Sequence, residues 1–337
     1  MITSSKPVIL TMSKMKNKSL LYGTLVLVLA LGTCLWCSAR DVVRVGLAWK
    51  SGLTSDDRVA MAIKAAGAEA VVLEQVRHSG LDYDSTTLAK NCVDADGVLL
   101  DDCARLVKRD SWHASNAEQV MRGVDAVVFL GGGDISSTLF REPQQWGGET
   151  CDATRDVSEF LTMSYCLDHD IPVLGLCRGM QMLAVVSGAS MIQDLDTHFE
   201  ANGINYNHLH RSLRDKQGNR YYTPHDVLVT DHNSLLYSIE MTDTITCVPS
   251  WHHQVVADVT GTPLKVTGVT PTQGTNIIEA IERTDKEFAL GVQYHPEEAV
   301  RQHLTDAPGA SQFMRLYRGV AYFWAMIKHV ENKRKNK

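Results

Sequence analysis

Several features are missing from this 337-residue chain, and each absence narrows its class. No internal repeat or low-complexity tract is present, so solenoid and array architectures drop out. There is no G-x-x-x-x-G-K-[ST], and the triple glycine at 131–133 is not a G-x-G-x-x-G. A nucleotide-phosphate cradle is therefore weakly supported. Basic charge is scarce in the body. The whole chain carries −6, but the first 40 residues hold five cations and no acid, which leaves −11 on residues 41–337. An acidic body lacks the basic face that nucleic-acid phosphates require, so no nucleic-acid partner is expected. The eight cysteines follow neither a zinc spacing nor a disulfide framework.

What is present at the N-terminus is directional. Lys14, Lys16 and Lys18 precede an uncharged run, Leu20 to Cys37, and small residues flank an exit after Ala39. A basic region, an apolar region and a small-x-small site make a secretory signal. Residues 1–40 read as a signal peptide cleaved after Ala39, or as an N-terminal membrane anchor tethering the chain through residues 20–37. Export to the periplasm or the exterior follows, with a cytoplasmic location as the alternative. Cys34 and Cys37 form a C-x-x-C inside that apolar run, where a metal or redox role has no support. In an exported chain Cys92 and Cys103 could pair. Apart from Cys177, the remaining cysteines read as small buried hydrophobes. The basic end, 333–337, reads as a solvated tail.

Residues 41–332 have a globular composition, the chain being 44% hydrophobic, and are read as one α/β domain. Val43 to Ala48, Glu69 to Glu74, Asp125 to Leu130 and Ile171 to Leu176 are strand patterns. Asp56 to Gly67 and Thr154 to His169 are helical patterns. Near-continuous apolar strands alternating with helices predict an open, mostly parallel sheet flanked by helices. From His225 to Tyr294, five short strand patterns predict an added antiparallel region. A final amphipathic helix is expected over about Ala310 to Val330. Between Asp194 and Pro224 lies a polar insert rich in His and Asn, a kind of loop that is usually functional or mobile.

The chemistry centres on Gly175-Leu176-Cys177-Arg178-Gly179. A strand leads in and a helical pattern leads out, which is the nucleophile-elbow arrangement. The helix start favours a thiolate, and the next N–H, of Arg178, can serve an oxyanion. A buried cysteine in a tight turn is the bland alternative. A nucleophile needs a base and an orienter; His295 and Glu297 in "YHPE" fit these roles. In extended chain, positions two apart point the same way, roughly 6.5 Å from each other. The glycines of "FLGGGDIS" let the backbone approach a ligand and donate N–H groups.

Four blocks in order, "LGGGDI", "RD" then "PVLGLCRGMQML", "SWHHQVV" and "LGVQYHPE", resemble the gamma-glutamyl-gamma-aminobutyrate hydrolase family of class I glutamine amidotransferase-like cysteine hydrolases. The resemblance spans about Arg44 to Val330 and implies a flavodoxin-like sheet. It implies Cys177 as nucleophile, His295 as general acid and base, and Glu297 as orienter, with the loop at Gly131 and Gly132 and the N–H of Arg178 as oxyanion hole. Gln181, Ser250, His252, His253 and Gln254 match blocks expected to line a gamma-glutamyl pocket. Arg155 and Asp156 match an Arg-Asp pair that is either a structural ion pair or a binding element. Leu130, Leu183-Ala184-Val185 and Gly188-Ala189-Ser190-Met191 depart from the family pattern, and "SGASM" is where a difference in substrate is expected.

The expected function is hydrolysis of gamma-glutamyl amide or peptide bonds, with a small-molecule substrate, no metal and no organic cofactor. The sequence leaves a homodimer open. The alternatives are a glutaminase subunit feeding ammonia to a partner synthase, and a non-catalytic gamma-glutamyl-binding protein.

Overall fold

The computed structural model describes residues 42–50, 54–149 and 151–336. The expected signal or anchor segment, with Cys34 and Cys37, lies outside the described residues. In chain order the strands are β1 (Arg44–Leu47), β2 (Glu69–Val72), β3 (Tyr83–Asp84), β4 (Thr87–Leu88), β5 (Ala126–Phe129), β6 (Val173–Leu176), β7 (Ser190–Ile192), β8 (Thr223–Val229), β9 (Thr244–Ser250), β10 (Val255–Asp258), β11 (Leu264–Thr272), β12 (Thr275–Arg283) and β13 (Ala289–Val292). The helices are α1 (Thr54–Ala65), α2 (Asp101–Asp110), α3 (Ala117–Val120), α4 (Ala153–Asp168), α5 (Arg178–Val186), α6 (Leu195–Ala201), α7 (Leu235–Glu240), α8 (Pro296–Leu304) and α9 (Leu316–Lys335).

Nine strands form one sheet in the order β2-β1-β5-β6-β13-β12-β11-β8-β9. The first five are parallel and the rest antiparallel. This is the predicted α/β architecture with its antiparallel extension. The pleat divides the core. Val127, Phe129 and Val173 join the cluster under α4 and α5. Their neighbours Ala126, Val128 and Leu174 join the opposite cluster under α1, α8 and α9. Successive side chains of a strand face opposite sides, so strands covered on both faces must be apolar throughout. This accounts for the runs "AVVF" and "VLGL".

Two features depart from the sequence reading, and a third adds to it. The last helix begins at Leu316 and continues to Lys335. Lys333 reaches Asp170 at 3.1 Å and Glu287 at 2.8 Å, and Arg334 reaches Asp125 at 2.7 Å. Lys333 and Arg334 are thus paired on a helix end, because acidic groups of Asp125, Asp170 and Glu287 face them. The polar insert starts as helix α6, capped by Asp194 accepting from the Thr197 N–H at 3.0 Å. The expected variable stretch "SGASM" supplies β7, which pairs with β10.

Helix α5 sits unusually close to the sheet, and its glycines explain why. A methyl group on Gly175 would lie 2.6 Å from the Gly179 backbone, and one on Gly179 would overlap the backbone of Phe129. Both are backbone-to-backbone approaches, which cannot relax by rotamer change. Gly179→Ala gains about 1 kcal/mol of helix propensity, but overpacking costs about 1–3 kcal/mol. Net destabilisation is expected, with a fall in Tm of a few °C, measured by thermal unfolding; an unchanged or raised Tm would refute the steric account.

Candidate active site

The site lies where three adjacent parallel strands end, as expected of an open α/β sheet. β5 runs into the glycine loop, β6 into Cys177, and β13 into His295. Cys177 takes φ 52°, ψ −107°, a strained conformation for a residue with a side chain. Its N–H is held by the Val292 carbonyl at 2.8 Å, and the thiol donates to the Trp251 carbonyl at 3.8 Å. Arg178 opens α5 with Cys177 at its N-cap, so the first-turn N–H groups have no acceptor within the helix.

His295 is fixed by its N–H to the Pro249 carbonyl, at 2.8 Å. Its Nδ1 lies 2.6 Å from Glu297 Oε1, and its ring and the Cys177 side chain both flank Gly131. His295 and Glu297 therefore meet, and Cys177 lines the same cavity. The route differs from the extended-chain expectation, since Pro296 starts α8 and Glu297 lies in its first turn. The helical turn brings the carboxylate closer than an extended pair would. Burial disfavours the imidazolium, but the ionisations of Tyr222, Glu297 and Cys177 outweigh it and raise the His295 pKa well above the ordinary value. Burial also raises the Tyr222 pKa, so at neutral pH Tyr222 is an uncharged phenol. With Tyr222 neutral, the Glu297 carboxylate and the thiolate form of Cys177 are the groups left to favour the imidazolium. Tyr222 packs edge-on against the His295 and Trp251 rings, with centroids 5.1 and 5.2 Å apart.

The glycine loop passes directly beside these groups. A methyl on Gly131 would sit 2.8 Å from His295 Cε1 and 3.7 Å from Cys177 Cβ. A methyl on Gly132 would strike the Arg155 guanidinium. Backbone can come this close only without side chains.

Arg155 and Asp156 belong to a buried ion network, and Arg155 also lines the cavity that opens on Cys177. Arg155 Nη2 donates to the carbonyls of Leu130 and Gly131, both at 3.0 Å, and its Nε to Glu159 at 2.8 Å. Arg178 donates to both Asp156 and Glu159. Asp156 also accepts from the N–H and hydroxyl of Ser136 at 2.9 and 2.6 Å. All four charged residues are buried. Burial lowers the pKa of each guanidinium to about 10, which leaves both charged at neutral pH. The pairs are mutually hydrogen-bonded, the arrangement a buried ion needs.

A cavity of about 420 Å³ opens on Cys177. Gln181, His252, His253 and Gln254 line it, as expected. Ser250 does not; it is buried and donates to the His210 carbonyl at 3.0 Å. His253 is held between Asp134 and Asp194, each at 3.0 Å. Burial opposes its charge, but these two hydrogen bonds prevail and raise its pKa to about 9. Gln181 donates to the Gln254 carbonyl at 2.6 Å, and Gln254 accepts from the Ile135 N–H at 3.1 Å.

Arg58, Glu149, Arg211, Tyr222 and Trp251 also line the cavity, none of them singled out by sequence. Arg211 and Tyr222 lie in the polar insert, and its excess of polar residues was the available signal. Behind His252, a buried cluster gathers His210, His225 and Glu279, with candidate ligand atoms all within 4.8 Å of one another.

The other cysteines divide. Cys92, Cys103 and Cys166 are buried free thiols, and Cys92 and Cys103 are neighbours. Cys151 is half-buried beside Ser136 and Asp156, and Cys247 is exposed. The last two depart from the expectation of buried hydrophobes, because Cys151 joins the polar network and Cys247 sits on the outer strand pair.

Residues 106–297 match the model of the peptidase C26 family. Protein NtpR of Enterococcus hirae is 33% identical over 186 residues, covering 54% of this chain and 71% of that protein. The gamma-glutamyl-gamma-aminobutyrate hydrolase PuuD of Escherichia coli is 27% identical over 183 residues, covering 53% and 66%. A glutamine amidotransferase structure from Thermotoga maritima aligns with TM-score 0.46 at 16% identity, over 86% of this chain and 99% of that one. With this family match over more than half its length, the chain belongs to the peptidase C26 family of glutamine amidotransferase-like proteins, which marks it as a cysteine-dependent hydrolase of amide bonds or glutaminase.

Proposed function

We propose that this protein hydrolyses gamma-glutamyl amide or peptide bonds through a Cys177 thioester and releases glutamate. The observation that carries the reading is the hydrogen-bonded pair His295–Glu297 set beside Cys177 in one cavity, with Gly131 between the imidazole and the thiol-bearing carbon. Supporting it are the matched gamma-glutamyl hydrolase from Escherichia coli and the cavity's mixed charge. Arg58, Arg211 and His253 stand against Asp134 and Glu149, a lining suited to a glutamyl group that carries both an ammonium and a carboxylate.

The Cys177 thiolate adds to the gamma-carbonyl, forming the C–S bond. The oxyanion lies toward the N–H of Arg178 and the glycine loop. The C–N bond breaks as the His295 imidazolium gives its proton to the leaving amine. His295, now neutral, takes a proton from water, which attacks the thioester; the C–S bond breaks, releasing glutamate and restoring the thiolate–imidazolium pair. Glu297 holds the ring and stabilises its charged form throughout. Export of the protein is proposed on its N-terminal pattern alone.

Released glutamate should be measured with gamma-glutamyl amines, gamma-glutamyl peptides and free glutamine as substrates. Cys177→Ala is expected to lose about 10³-fold or more in kcat/KM; full retained hydrolysis would overturn the mechanism. Turnover of glutamine alone would favour the glutaminase reading. Glu297→Gln removes a charge that raises the His295 pKa. The imidazolium is then lost at lower pH, so the alkaline limb of the profile of kcat/KM should move to lower pH. A limb that stays in place or moves upward would contradict that role.

A further inference from the structure

Four side chains from four separate segments converge behind the pocket wall: His210 from the insert, His225 from β8, His252 from the β9–β10 loop and Glu279 from β12. The hydrolase mechanism uses none of them. All are buried, with His210 and Glu279 fully inaccessible. The ion-pair partners of Glu279 among the described residues are these three imidazoles. A buried carboxylate with no cation is a costly arrangement.

The hydrogen bonds around the cluster define which nitrogens face inward. His210 Nε2 lies 2.9 Å from the Thr272 hydroxyl, whose own proton goes to the Thr270 carbonyl. The hydroxyl is therefore the acceptor, and His210 carries its proton on Nε2. Its Nδ1 faces Glu279 Oε1, 2.9 Å away, and offers a lone pair there in the neutral ring. His225 repeats the pattern. Its Nδ1 faces the Asp226 carbonyl at 3.3 Å and a Thr270 hydroxyl already committed to that carbonyl. The proton is on Nδ1, and Nε2 points at Glu279 Oε1 from 3.7 Å. His252 Nε2 lies 3.4 Å from the same oxygen. His210 Nδ1, His225 Nε2, both nitrogens of His252 and both oxygens of Glu279 are buried without a hydrogen bond of ordinary geometry. Lone pairs converging on a carboxylate oxygen repel one another unless a proton or a metal cation lies among them.

We propose that His210, His225, His252 and Glu279 form a tetrahedral site for a divalent transition-metal ion, zinc or one of similar preference. Three imidazole nitrogens and one carboxylate oxygen are a borderline ligand set suited to zinc. Metal–ligand bonds of about 2.0–2.1 Å place tetrahedral ligand atoms about 3.3–3.4 Å apart, and separations of 2.9, 3.4 and 3.7 Å from Glu279 Oε1 bracket that spacing. Outer hydrogen bonds from the far ring nitrogens of His210 and His225 are the supports that metal-bound histidines need. Four protein ligands make a closed site, so its role is structural. It ties β8, β12 and the insert to the loop that carries Trp251, His253 and Gln254, and so fixes one wall of the cavity.

The test reads metal directly and is independent of any hydrolase activity. The purified full chain is stripped with a chelator, exposed to Zn²⁺ or Co²⁺, desalted and assayed by elemental analysis. About one equivalent of Zn²⁺ should remain bound, with a higher Tm than the stripped protein, and Co²⁺ should give the visible absorption of a tetrahedral site. E279Q and H225A should lose the metal, whereas H232A, at an exposed histidine, should keep it. If a variant fails to fold, the Co²⁺ spectrum of the unaltered chain decides. Less than about 0.1 equivalent retained by the unaltered chain, with no Co²⁺ absorption, overturns the proposal. Full retention by folded E279Q and H225A does so as well.

Discussion

The site depends on one buried ion cluster: Arg155 and Arg178 against Asp156 and Glu159. It links three pieces of chain that the sheet pairing and the core already bring near one another. Arg178 belongs to the elbow, Asp156 and Glu159 to α4, and Arg155 reaches across to the carbonyls of the glycine loop. The two halves of the proposed oxyanion hole are the first N–H of α5 and the N–H groups of the loop, so the cluster sets their separation. A buried quartet of this kind contributes little net stability compared with apolar packing, but removing one member strands the others in a low-dielectric interior. Its worth lies in position rather than in free energy.

The second constraint is steric. Helix α5 must start almost in contact with the sheet for Cys177 to stand at the strand end with φ positive. The backbone approaches at Gly175 and Gly179 make that possible. The elbow therefore stores strain at one residue, and the ion cluster on one side and the Val292 carbonyl on the other hold it there. Electrostatics then follow geometry. Glu297, locked in the first turn of α8, raises the pKa of a histidine that burial alone would have kept neutral.

The remaining wall of the cavity is assembled from groups distant in sequence. Its charges are balanced locally: His253 sits between two carboxylates, and Arg211 is paired with Glu149. Behind it the three histidines and Glu279 are not balanced in the same way. That contrast within one wall is what separates a satisfied polar network from a ligand set.

Much of the architecture was determined by the sequence itself, through local causes. Apolar strands alternating with helices required a sheet covered on both faces, and the glycines around Cys177 required a tight strand–helix turn. The proposed nucleophile and base were legible because each follows a strand pattern, and the proposed orienter because it stands two residues beyond the base in sequence. Other features were decided only in three dimensions. His295 and Glu297 meet through a helical turn, because proline at the first position starts α8 there. Ser250, adjacent to pocket residues in sequence, turns inward to His210, since alternate residues of a strand face opposite ways. Arg58, Arg211 and Tyr222 carry no periodic signal, and only the fold brings α1 and the insert to the cavity. The same holds for the histidine–glutamate cluster, whose members are drawn from positions 210 to 279. Spacing along a chain records contacts within a turn or strand, whereas contacts across a sheet depend on strand order, which the local pattern does not encode.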